Sequence, residues 1–121
     1  MSKTNDVRAV VKTKLSTVCD HVYFENADKD NLFPHITYSI SPISTTDGNR
    51  FDCIVDMDVW DKSTANIEDL CDSIEALFDR INSPQTTILP TFYLVNRIAI
   101  KDDDKSIKHR LVRVQVQYYV R

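Results

Sequence analysis

The chain has 121 residues, 42% of them hydrophobic and 27% charged, with a formal net charge of −3 and one glycine. That length suits a single domain with one real core. The acidic balance argues against a nucleic-acid binder that works by gripping phosphates, and a lone glycine excludes the glycine-rich loops that cradle them. No apolar run reaches the length of about 20 residues that a membrane helix needs, so no membrane partner is expected.

Thr4 or Asn5 is placed to cap a first helix, with Asp6 in its first turn. Val7, Val10, Val11, Leu15 and Val18 then recur at helical spacing, opposite Arg8, Lys12 and Lys14. The many β-branched residues lower helix propensity, so packing has to hold this helix. It is predicted to end between Val18 and Asp20. The residues before it lack the apolar segment of a secretory signal, which makes a cytosolic product the expectation.

Val22, Tyr23 and Phe24 form a short apolar run that reads as an edge strand, and residues 25–31 as a polar loop. From residue 36 to 43, Ile36, Tyr38 and Ile40 alternate with Thr37, Ser39 and Ser41, the period of a strand. Pro42 places the end of that strand at an edge or a bulge. Asp47-Gly48 is a hairpin signal, so this strand should pair antiparallel with the next.

In residues 51–60, Phe51, Cys53, Val55, Met57 and Val59 fall on alternate positions and read as a buried strand face. Asp52, Asp56 and Asp58 share the other face with Ile54 and Trp60. Ser63 or Thr64 caps a second helix. Its apolar stripe runs through Ile67, Leu70, Cys71, Ile74, Leu77, Phe78 and Ile81, and Asn82-Ser83-Pro84 is read as its end.

Residues 84–90 read as a loop, residues 92–100 as a strand apolar on both faces, and residues 101–105 as a charged turn. The last strand, 111–121, sends Val112, Val114, Val116, Tyr118 and Val120 inward. Arg113, Gln115, Gln117, Tyr119 and Arg121 face the other way. The predicted fold is α+β: a mainly antiparallel sheet of four to five strands with two helices packed on one face, in one domain spanning 1–121. The connection from Trp60 to Ile88 fits either a parallel crossover or an antiparallel return.

The candidate chemistry is sparse. Cys19 and His21 would supply two metal ligands, short of a zinc set, so no metal is expected. Cys53 and Cys71 sit on apolar faces and read as small buried hydrophobes without a disulfide. Asp102, Asp103 and Asp104 read as a solvated turn. With no convergent acid, base or nucleophile, neither catalysis nor a cofactor is expected. What remains is the sheet face with Asp52, Asp56, Asp58 and Trp60, flanked by Arg113 and Arg121. It reads either as a plain solvated face or as a surface that joins a neighbouring subunit or lines a passage. Tryptophan and tyrosine are enriched at interfaces, which favours the second.

The stretch Asp58-Val59-Trp60-Asp61-Lys62-Ser63, followed by the helix from Ile67 to Ile74, resembles the tail completion (tail terminator) proteins of long-tailed bacteriophages and prophages. So do the opening helix, the Phe33-Pro34-His35-Ile36 entry to a strand and the closing strand rich in valine and tyrosine. Scarcity of glycine is a departure. The resemblance implies a homo-oligomeric ring, commonly hexameric, that caps the tail tube, ends its polymerisation and meets the head-closure or connector protein. DNA would pass through its bore without sequence-specific binding, and the protein would reside at the head–tail junction of the virion after assembly in the host cytoplasm. A head-closure or adaptor protein and a small protein-binding module are the rival readings.

Overall fold

The computed structural model describes residues 3–26, 32–47, 50–101 and 104–120. The elements run α1 (Lys3–Leu15), β1 (Val22–Phe24), β2 (His35–Asp47), β3 (Arg50–Asp61), α2 (Thr64–Phe78), β4 (Ile81–Asn82), β5 (Ile88–Ile100) and β6 (Lys108–Val120). The six strands form one sheet in the order β1-β2-β3-β6-β5-β4. The α+β class therefore stands, with more strands than expected because both edges carry short additions. β1 lies at one edge and pairs parallel to β2 over three residues. β4 at the other edge pairs antiparallel with β5 over two.

β3 and β5 are each antiparallel to β6, which lies between them, so they run in the same direction. The connection through α2 is thus a crossover that leaves a gap for the last strand, which settles the alternative left open by the sequence. β2 and β3 pair as an antiparallel hairpin closing on Asp47 opposite Arg50; Gly48, on which the turn was predicted, lies outside the described residues. Register shifts occur beside Pro42 in β2 and between Leu94 and Asn96 in β5. Proline has no N–H to give to a ladder, which makes a bulge its natural place.

Both helices cover the same face of the sheet, α1 reaching β2 and β5 and α2 reaching β3, β5 and β6. Between them lies one core: Val7, Val11 and Leu15 of α1, Ile67, Cys71, Ile74 and Phe78 of α2, and Val55, Met57, Val59, Val112, Val114 and Val116 of the sheet, all buried. Leu70 and Leu77 pack against its margin. The Phe78 and Phe92 rings meet edge-on at 5.1 Å. All three cysteines are buried and free.

β2 runs on past Pro42 to Asp47 and β6 begins at Lys108, both longer than read from the sequence, and further boundaries differ. α1 ends at Leu15, and Val18 packs beside the core from the turn beyond it. α2 ends at Phe78, where Asp79 caps it and Arg80 takes a left-handed conformation at φ 58°. That turn breaks the stripe before Ile81, which pairs with Phe92 as β4. β5 starts at Ile88 and includes Pro90, whose carbonyl accepts from Ser83 N–H at 3.0 Å.

Candidate interaction face of the sheet

The helix-free face presents the outward residues of β2, β3, β6 and β5 in rows fixed by register. Trp60 stands between His35 and His109, Asp58 between Thr37 and Leu111, Asp56 between Ser39 and Arg113, and Asp52 between Ser44 and Gln117. Asp52, Asp56, Asp58, Trp60 and Arg113 are therefore brought together on one face, as expected. Arg121 lies outside the described residues.

Asp52, Asp56 and Asp58 each have a cationic or imidazole partner inside the same subunit. Arg113, directly opposite Asp56, donates from Nε to one carboxylate oxygen at 2.7 Å and from Nη2 to the other at 3.3 Å. This two-point fork holds the guanidinium pKa above its ordinary value. Asp58 meets His109 Nε2 at 2.8 Å. Asp52, which is buried, accepts from Arg50 Nε at 3.3 Å. These three carboxylates are therefore charge-paired, and the Arg113–Asp56 and His109–Asp58 pairs bridge β3 and β6.

Trp60 closes one end of the face. Its ring stacks on His109 at 4.3 Å and on His35 at 4.9 Å, with interplanar angles of 20° and 22°. Phe33 extends the row at 5.1 Å from His35, and the Lys62 ammonium lies 5.3 Å from the Phe33 ring centroid. His35 is 5% exposed, and its Nδ1 has no hydrogen-bond partner. Burial pushes its pKa down, since desolvation penalises the imidazolium. The sequence reading gave His35 and His109 no part in this face. Their place beside Trp60 depends on cross-strand register, for which the sequence holds no local signal.

The β5 side of the same face carries several exposed apolar side chains among its polar ones. Leu89, Tyr93, Val95 and Ile98 on β5 and Tyr119 on β6 are all exposed, and Leu89 stands opposite Tyr119. The charged pairs thus lie along β3 and β6, and the exposed apolar side chains gather mainly on β5.

Among the described residues there is no group of three or more His, Cys, Asp or Glu placed to hold a metal ion. Cys19 Sγ instead approaches the carbonyls of His21 at 3.7 Å and Pro34 at 3.6 Å. Burial pushes the Cys53 thiol up to about 12 and the Cys71 thiol to about 11. A thiol held neutral in this way is a poor nucleophile.

No family model matches the chain, and no curated protein does. Solved structures do. A chain of the virion of a native gene transfer agent particle superposes with a TM-score of 0.68, covering 90% of this chain and 91% of that one at 6% identity. A second solved chain gives 0.67 over 100% of this chain and 96% of its own at 15% identity. At such identities the likeness is one of fold alone. No helix of the described residues is long and apolar enough to cross a membrane.

Proposed function

We propose that this chain is a structural protein of a phage-like virion, acting as a homo-oligomeric ring that caps the tail tube and ends its polymerisation. It then presents the tail to the head-closure or connector protein. The observation that carries this reading is the fold shared over nine-tenths of both chains with a gene transfer agent virion component. The sequence resemblance of residues 58–74 to tail completion proteins supports it from an independent direction.

In this reading the helix-free face lines the bore. Its paired charges suit that role, because DNA sliding past needs a surface with few free cations to displace phosphate counterions. Arg113, the cation at the middle of the face, is already engaged by Asp56. The chain performs no catalysis and needs no cofactor in this role.

The test is genetic. Removing the protein should leave tails of uneven length that fail to join heads. Reversing Asp56 and Asp58 to lysine, with folding checked by circular dichroism, should repel Arg113, leave the bore cationic, and impair head joining or DNA passage. Normal tails from the folded double variant would remove the bore role of this face. Normal tails without the protein would remove the functional reading altogether. A defect confined to head joining, with tail length intact, would favour the head-closure or adaptor role.

A further inference from the structure

The two helices carry opposite charge on opposite sides of the molecule. α2 contains Glu68, Asp69, Asp72 and Glu75 and no lysine or arginine. Arg97 of β5 reaches Glu75 at 2.7 Å and Asp72 at 2.9 Å, while Arg110 of β6 reaches Glu68 at 2.7 Å. The acidic side of α2 therefore looks toward β5, near one end of the strand order. Asp79 follows Glu75 by four residues and continues that side. Two guanidiniums do not neutralise the set, and the Asp72 side chain is still 68% exposed.

On α1, Arg8 and Lys12 are one turn apart and look the other way. The Arg8 guanidinium lies 4.2 Å from the Phe24 ring centroid, and Lys12 Nζ donates to the Val22 carbonyl, both on the edge strand β1. They border a groove of about 490 Å³ between α1 and β1, with Tyr23 and Tyr38 in its wall.

We propose that these flanks are the two halves of one joint: the basic α1–β1 groove of one subunit receives the acidic side of α2 from the next copy. The inference rests on the ring reading and names its subunit interface. Pairing either flank with itself, as a two-fold dimer would, sets like charges together. Head-to-tail contact sets unlike charges together and, if its rotation closes, builds a ring. Such charges fix register and partner choice, and their attraction weakens with salt.

Three measurements test it. Zero-length carbodiimide coupling of mixed isotope-labelled and unlabelled wild-type chains should give mixed-isotope products linking Lys12 to Asp69, Asp72 or Asp79. The variants R8E/K12E and D72K/D79K, each alone, should lose self-association by sedimentation. Mixed one to one, they should regain it, because each then meets a complementary flank. Coupling that maps elsewhere, variants that still self-associate, or a mixture that stays dissociated would overturn the joint. If substitution at Arg8 or Lys12 unfolds the chain, the wild-type coupling map decides alone. The tail phenotype of the deletion judges the ring reading separately, so the two can fail independently.

Discussion

The two helices bury similar stripes on the same sheet, yet they are specified differently. α2 carries its own punctuation: Ser63 accepts from Asn66 N–H at 3.2 Å at the start, and the helix stops cleanly at Asp79. α1 starts at Lys3, ahead of both predicted caps, and fills its buried face with Val7, Val10 and Val11. Valine is a modest helix former. One helix is thus written locally, and the other is imposed by the surface it packs on.

The strongest way to break this contrast is to empty the core beneath α2. Phe78→Ala should cost about 3–5 kcal/mol in denaturant melts, since Phe78 is fully buried against Phe92. A loss below about 1 kcal/mol would mean that α2 does not depend on that contact.

A second test uses pH. Cys71 of α2 and Cys53 of β3 hold their protons to about 11 and about 12 when folded, from an ordinary value of 9.0. Above pH 9 the unfolded chain loses these protons first. Their contribution is therefore complete below pH 9 and is lost as pH rises toward 12. Stability should fall across that window, less steeply in Cys53→Val. At neutral pH both thiols should resist alkylation until the chain unfolds. Fast labelling of the native protein would contradict their burial.

The smallest effect sharpens the contrast most directly. Ser63→Ala should cost about 1 kcal/mol, the usual worth of an N-cap. Asn5→Ala, inside the first turn of α1, should stay within about 0.5 kcal/mol, as surface changes do. Equal losses would show that α1 is capped as firmly as α2.

The same division explains what could be read from the sequence. Alternation in residues 51–60 and 112–120, the stripe of α2 and the spacing of Val7, Val10, Val11 and Leu15 are local patterns, and they located the core and both helices. Ile81 fits the helical stripe by spacing, so only the left-handed turn at Arg80 reveals that it belongs to a strand. Pro90 reads as a breaker because it lacks an N–H, while its carbonyl still serves β5. Of the candidate face, alternation gathered Asp52, Asp56 and Asp58. The Arg113 fork and the place of His109 needed the pairing of β3 with β6, and the place of His35 needed the register of the β2–β3 hairpin.

The placement of Trp60 has an optical consequence. It is the only tryptophan in the chain, and its ring lies between two imidazoles. An imidazolium accepts electron density from an excited indole, whereas a neutral imidazole does so poorly. The emission of the folded protein should therefore dim once acidification charges His35, which burial holds below the ordinary imidazole value, and His35→Leu should remove that response. One end of the sheet thus carries a native fluorophore that reports proton binding at a defined spot, without any added label.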